Sequence, residues 1–153
     1  MRIALAQLNT IVGDVDGNVT RVLEAMDRAR SAGAELVVFP ELCVSGYPPR
    51  DLVERTAFIR QCEDGLERIR AATARDPSPG VIVGSPLKSR SETGKGVTNS
   101  ALMFAGGRIL HRHDKLLLPT YDVFDEARYF EPAAGIAPLK IGGQKIALTI
   151  CED

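Results

Sequence analysis

The chain lacks the features that mark several large classes of protein. It has two histidines and three cysteines, with no closely spaced cysteine pair, so the ligand spacing of a structural zinc centre is absent. The net charge is −1 and no block of like charge appears, which argues against a nucleic-acid or anionic-membrane surface. No apolar run is long enough to cross a bilayer. The apolar start, Met1-Arg2-Ile3-Ala4-Leu5, turns polar by Gln7 and Asn9, too soon for a secretion signal, and reads as a first strand. No G-x-G-x-x-G occurs, and Gly94-Lys95-Gly96 lacks the upstream glycine and the Ser or Thr of a phosphate loop, so a nucleotide would have to bind elsewhere. There is no internal repeat, linker or low-complexity tract. An odd number of cysteines without a leader predicts reduced thiols and a cytoplasmic setting.

What is present suits one packed domain. In 153 residues, 44% are hydrophobic and 25% charged, enough apolar side chains for a core under an ordinary soluble surface. Residues 3–8 form a short apolar run, and turn chemistry follows over Gly13-Asp14-Val15-Asp16-Gly17 with Asn18 as a helix cap. Val19, Val22, Leu23, Met26, Ala29 and Ala32 then recur at helical spacing up to a stop at Gly33, and residues 36–39 read as a second buried strand. Strand, helix, strand predicts parallel pairing through a right-handed crossover. Asp51 and Glu54 have the spacing of a capping box ahead of a helix over 57–74 that carries Ile59, Cys62, Leu66 and Ile69 on one stripe. Residues 76–80 end that helix, 81–84 form a third strand, and 88–96 make a polar loop. Gly-Gly between apolar runs, at 106–107 and 142–143, predicts two hairpins, the second leading into a strand over 145–150. The predicted fold class is α/β, a mixed sheet with helices on one face.

Three strand ends carry chemistry. Val37-Val38-Phe39-Pro40-Glu41 sets a carboxylate past a buried strand, His113-Asp114-Lys115-Leu116 an amine past another, and the 145–150 run delivers Cys151. A thiol that forms a thioester needs a base, because at neutral pH it is mostly protonated. A partly buried carboxylate has its pKa raised toward that task, and a cation can hold an oxyanion. Each residue alone also has a plainer reading: Cys151 as a small buried hydrophobe, Glu41 as a surface or capping carboxylate, Lys115 as a snorkelling side chain at a strand edge. Cys62 lies on an apolar helical stripe and reads as core, and Cys43 as lining the Glu41 loop. His111 and His113 alternate with Arg112, so on a strand they share a side.

Taken in order, Phe39-Pro40-Glu41-Leu42, His113-Asp114-Lys115-Leu116-Leu117-Leu118-Pro119 and Ile150-Cys151-Glu152-Asp153 resemble the Glu, Lys and Cys blocks of the nitrilase superfamily of carbon–nitrogen hydrolases. The likeness runs along the whole chain from Arg2. Ser45-Gly46-Tyr47-Pro48-Pro49-Arg50-Asp51-Leu52 and the stretch Tyr121-Asp122-Val123-Phe124-Asp125-Glu126-Ala127-Arg128-Tyr129-Phe130 are similar to the glutaminase domain of glutamine-dependent NAD synthetases. The resemblance implies half of an α-β-β-α sandwich, truncated after the nucleophile strand. It implies that Cys151 attacks L-glutamine to form a glutamyl thioester, that Glu41 is the base and that Lys115 holds the oxyanion with the backbone N–H after the thiol. It implies that Glu126 is a second glutamate supporting lysine and base, and that Tyr47 and Tyr121 line the glutamine pocket. It also implies no cofactor for the glutaminase step, ATP and Mg in a separate synthetase domain that uses the ammonia, and a homo-oligomer, with no nucleic-acid or membrane partner. The family's domain continues past the nucleophile. Residues 1–153 are therefore expected to be the N-terminal portion of a glutaminase domain, inactive and poorly stable by themselves. Another carbon–nitrogen hydrolase, of ω-amidase or carbamoylase type, is the nearest alternative, and an inactive fragment with only a structural role is the other.

Overall fold

A computed structural model describes residues 1–75, 78–91, 94–141 and 143–153. The elements, in chain order, are β1 (Ile3–Leu5), α1 (Val15–Ser31), β2 (Leu36–Val38), a 3₁₀ turn (Arg50–Glu54) and α2 (Thr56–Ala72). They continue with β3 (Gly80–Lys88), β4 (Val97–Ala105), β5 (Arg108–Asp114), α3 (Glu126–Tyr129), β6 (Leu139–Ile141) and β7 (Gln144–Ile146). Among the described residues, no helix is long and apolar enough to cross a membrane.

β1 to β5 form one sheet in sequential order. β1, β2 and β3 run parallel, and β4 and β5 add antiparallel strands at the β3 edge. This is the mixed sheet that strand–helix–strand patterning followed by hairpins predicts. The β4–β5 turn, Gly106-Gly107, has φ of +56° and +73°, the doubly positive geometry of a two-residue hairpin, which glycine adopts at little cost.

The helices cover one face. On α1 the residues Val15, Val19, Val22 and Met26 are buried, and on α2 Phe58, Ile59, Cys62, Leu66 and Ile69. They pack with Val37, Val81, Val83, Leu102 and Phe104 of the sheet in one core. Each such aliphatic or aromatic side chain contributes roughly 1.5–3 kcal/mol when fully buried. Val81 pairs with Phe104 and Val83 with Leu102, so alternate residues Ile82, Gly84, Ala101 and Met103 turn to the opposite face. Residues 148–151 lie against that second face, where Leu148 to Cys151 share a cavity with Val38, Ile82 and Ala101.

Several element boundaries differ from the sequence reading. α1 starts at Val15, and Asp14 is its cap, accepting a hydrogen bond from the Gly17 N–H at 3.1 Å. Asn18 lies inside the helix, fully buried, and ties together two loops: its Oδ1 accepts from Ile11 N–H, and its Nδ2 donates to the carbonyls of Ile11 and Val44. Asp51 and Glu54 fall in the 3₁₀ turn instead of capping α2, which begins at Thr56 with no side-chain cap. β1 stops at Leu5, and β3 is longer than predicted because β4 pairs with it from Val81 to Lys88. The second hairpin forms, with Leu139 opposite Ile146, but its second strand ends at Ile146. The strand predicted over 145–150 is therefore short: among the described residues, 147–150 join no ladder. Of the predicted turns, Asp76, Pro77, Glu92, Thr93 and Gly142 lie outside the described residues.

Candidate active site

The loop after β2 carries Glu41, and the local backbone forces it toward β3. Phe39 N–H donates to Ile82 O at 2.9 Å and Val44 N–H to Gly84 O at 3.2 Å, so the loop rides along the strand. A Cβ on Gly84 would come within 2.4 Å of Leu42 N and 3.0 Å of Pro40 O, closer than backbone atoms allow. Leu42 itself sits at φ +48°, a left-handed conformation that a branched side chain rarely accepts. Glycine in β3 and strain at Leu42 together place the Glu41 carboxylate over the sheet end.

Lys115 follows β5 directly. Its N–H donates to Asn99 O at 2.8 Å and its carbonyl accepts from Ala133 at 3.0 Å. The side chain is completely buried, and Nζ lies 2.8 Å from Glu41 Oε1 and 3.0 and 2.9 Å from the two oxygens of Glu126. Burial works against the ammonium charge, but hydrogen bonds and attraction from Glu41 and Glu126 outweigh it and hold the lysine above its ordinary pKa. Glu126 opens α3, where its N–H reaches Pro119 O at 3.0 Å, and Tyr47 donates its hydroxyl to Glu126 Oε1 at 2.9 Å. Burial, then the adjacent Glu126 carboxylate, pushes the Tyr47 hydroxyl well up, so Tyr47 serves as a donor across the working range.

Glu41 Oε1 receives a second donor, Asn99 Nδ2 at 2.7 Å. Both donors go to one oxygen, which leaves Oε2 as the oxygen able to exchange a proton. Glu41 and Cys151 line the same small cavity, about 120 Å³, together with Asn99, Ala101 and Ile150. Cys151 is exposed, with φ +50° in a turn closed by Asp153 N–H to Ile150 O at 3.1 Å. Desolvation pushes its thiol up, Lys115 opposes that, and the carboxylates of Glu41, Glu152 and Glu126 push it further up. A group in that condition is a thiol that must hand its proton to a base as it attacks. Cys43 and Cys62 are buried and pushed up to about 12 by burial, which leaves both inert.

Of the six residues the sequence singled out, Glu41, Lys115, Glu126 and Tyr47 join one hydrogen-bonded cluster, and Cys151 faces Glu41 across the cavity. Tyr121 stands apart from the cluster. It is 56% exposed, stacks edge-on against Phe124 with ring centroids 5.6 Å apart, and donates its hydroxyl to Glu152, next to Cys151. Asn99 is not among the residues the sequence singles out. A polar residue between Val97 and the apolar run from Ala101 was the available signal. Asp153 and its link to His113 were also missed. His113 Nε2 lies 2.7 Å from Asp153 Oδ2, and among the described residues no group of three or more His, Cys, Asp or Glu side chains is placed to hold a metal ion.

Comparison with known proteins agrees with this fold. The family model for carbon–nitrogen hydrolases matches residues 2–153. The glutamine-dependent NAD(+) synthetase of Thermotoga maritima is 40% identical over 153 residues, an alignment that takes in 100% of this chain and 26% of that protein. The solved glutamine-dependent NAD+ synthetase of Acinetobacter baumannii superposes with a TM-score of 0.86 at 31% identity, over 99% of this chain and 27% of that one. A mutant amidase from Nesterenkonia sp. AN1, with the acetamide moiety of fluoroacetamide covalently added at its active-site cysteine, superposes with a TM-score of 0.82 at 27% identity, over 100% of this chain and 56% of that one. The chain thus spans about a quarter of the length of the synthetases it matches.

Proposed function

The chain belongs to the carbon–nitrogen hydrolase family, and on that premise we propose that residues 1–153 are the N-terminal portion of a glutaminase domain that feeds ammonia to NAD synthesis. The observation that carries the reading is Lys115 Nζ seated between Glu41 and Glu126, with Cys151 across a shared cavity from Glu41.

On this reading the Cys151 sulfur attacks the side-chain amide carbon of L-glutamine while Glu41 Oε2 accepts the thiol proton. The carbonyl oxygen becomes an oxyanion held by Lys115 Nζ and the Glu152 backbone N–H. Collapse breaks the C–N bond, Glu41 returns the proton to the leaving nitrogen, and ammonia departs from a glutamyl thioester. Glu41 then takes a proton from water, the hydroxide attacks the thioester, and glutamate leaves as the thiol re-forms. Glu126 fixes Lys115 and is itself fixed by Tyr47, while Tyr47 and Tyr121 border the substrate. The step needs no prosthetic group. ATP and magnesium act in a separate synthetase domain that consumes the ammonia, the protein works in the cytoplasm, and copies associate as a homo-oligomer.

The test is ammonia release from glutamine by the whole protein, with the thiols followed by iodoacetamide labelling. Cys151 should label at least tenfold faster than Cys43 or Cys62, glutamine should protect it, and Cys151→Ala should abolish turnover. Equal labelling of all three would remove the enzymatic reading. Turnover of simple aliphatic amides with none of glutamine would move the assignment to an amidase.

A further inference from the structure

The nucleophile turn has little backbone support of its own. Among the described residues, the one backbone–backbone hydrogen bond made by residues 147–153 is Asp153 N–H to Ile150 O, within the turn itself. Side chains tie the turn to its surroundings: Glu152 accepts from the exposed Tyr121 hydroxyl, and the buried Asp153 makes the larger set of contacts. Asp153 Oδ1 accepts the N–H of Leu116 at 2.8 Å and of Leu117 at 2.9 Å, and Oδ2 accepts the N–H of Ile150 at 3.1 Å. His113 Nε2, on β5, sits 2.7 Å from the same Oδ2. Both side chains are closed to solvent, Asp153 at 0% and His113 at 2%. One carboxylate therefore grips the backbone just after Lys115, a side chain just before it, and the residue preceding Cys151.

We propose that Asp153, held by His113, is a positioning residue that fixes the Cys151 thiol relative to Lys115 and Glu41. The proposal rests on Cys151 being the nucleophile. Asp153 touches no reacting atom; it acts by fixing where the turn stands. Misplacement of a reacting group by about 1 Å can cost on the order of 100-fold in rate, so a single carboxylate with four partners is enough to matter. The charge state suits the role. Burial alone would push the Asp153 carboxyl up, but the hydrogen bond from His113 and those from Leu117, Ile150 and Leu116 outweigh it and hold it below its ordinary range. An ionised, acceptor-only carboxylate is what three N–H groups and an imidazole donor require.

The test uses the whole protein and three variants: Asp153→Asn, His113→Phe and His113→Gln. Each is assayed well below its melting temperature for the iodoacetamide rate at Cys151, read by mass spectrometry, and for kcat and KM with glutamine. Asp153→Asn should slow Cys151 labelling and kcat by about 10- to 100-fold with KM little changed. His113→Phe should slow both by about tenfold, and His113→Gln, whose amide can still donate to Oδ2, should recover to within about threefold of the unsubstituted protein. If Asp153→Asn does not fold, the two histidine variants decide. Unchanged labelling and kcat in His113→Phe, or equal losses in His113→Phe and His113→Gln, would overturn the proposal and leave Asp153 as simple structural glue. Failure of the nucleophile assignment shows separately, as equal labelling of the three cysteines in the unsubstituted protein.

Discussion

Glu41 and Lys115 hang from a five-stranded sheet, whereas Cys151 hangs from a hairpin outside it. β2 and β5 are tied by ladders into a sheet that carries the main core, and the loops that leave them are held by further backbone hydrogen bonds. Among the described residues β7 pairs with β6 alone, and residues 147–150 join no ladder. The Glu41 carboxylate and the Lys115 ammonium thus hang from laddered strands, and the Cys151 thiol is placed by side-chain hydrogen bonds and one cavity wall. Backbone ladders are concentrated on the Glu41 and Lys115 half of the site. Substitutions should therefore act through stability in the first region and mainly through placement in the second.

The largest effect is expected at Lys115. Lys115→Met removes a fully buried cation from between two carboxylates, and breaking a buried pair in this way costs about 3–5 kcal/mol. Urea unfolding should show that loss, and glutamine hydrolysis should disappear. The sign with pH follows from the lysine's raised pKa. Its stabilising contribution is fully present below the ordinary value of 10.5 and is lost only as pH rises through the higher folded value. The gap between the two proteins should stay constant from pH 6 to 9 and narrow only in strong alkali; a gap that closes near neutrality would mean the ion pairs are not what holds the loop.

Gly84→Ala comes next. The added methyl meets Leu42 N at 2.4 Å, and the loop has no slack because Leu42 is already at positive φ. A loss of about 1–3 kcal/mol is expected from the forced shift, with a fall in kcat of about 10- to 100-fold as Glu41 moves. Unchanged kcat beside lowered stability would show that the Glu41 loop tolerates displacement.

Asn99→Leu separates the two currencies more sharply. Asn99 Nδ2 donates to Glu41, yet its buried Oδ1 has no hydrogen-bond partner among the described residues. Replacing the amide by an apolar side chain of similar size removes a useful donor and an unpaired acceptor together. The melting temperature should hardly move, while kcat falls about tenfold as the base loses a hydrogen bond to its charged form. A large drop in melting temperature would place Asn99 in the structural group instead.

These contrasts also show what the sequence could and could not reveal. The mixed sheet was legible because each strand of its first half is a short apolar run broken by Gly, Pro or Asp, and Gly106-Gly107 names its own turn. Glu41, Lys115 and Cys151 were legible as chemistry at strand ends, and the resemblance added Glu126, Tyr47 and Tyr121. Asn18 was misread because Asn before an apolar stripe looks like a cap; its burial against two loops depends on tertiary neighbours 7 and 26 residues away. Gly84, Asn99 and Asp153 act through backbone approaches and hydrogen bonds across 36 to 58 residues of sequence, which leave no local pattern. The strand over 145–150 failed for a different reason. Apolar, β-branched composition marks a segment that would accept a neighbour, and a ladder also needs the neighbour.

The smallest effect tests that last point. In the β6–β7 hairpin Lys140 stands directly opposite Lys145, and both are exposed. Like charges in register repel, so Lys145→Glu should turn a repulsive pair into an attractive one worth about 0.2–1 kcal/mol to the hairpin. If the hairpin is a local unit outside the main sheet, that gain stays local. Amide exchange at Ile141 and Ile146 should slow, while the urea midpoint for the whole fold moves by no more than about 0.5 kcal/mol in equivalent stability. Cys151 labelling should not change either, because the turn is held by Asp153 and not by the strand before it. A shift in the global midpoint comparable to that of Gly84→Ala, or faster labelling of Cys151, would mean that β7 transmits its order to the thiol, and the division between a ladder-held and a side-chain-held half of the site would have to be given up.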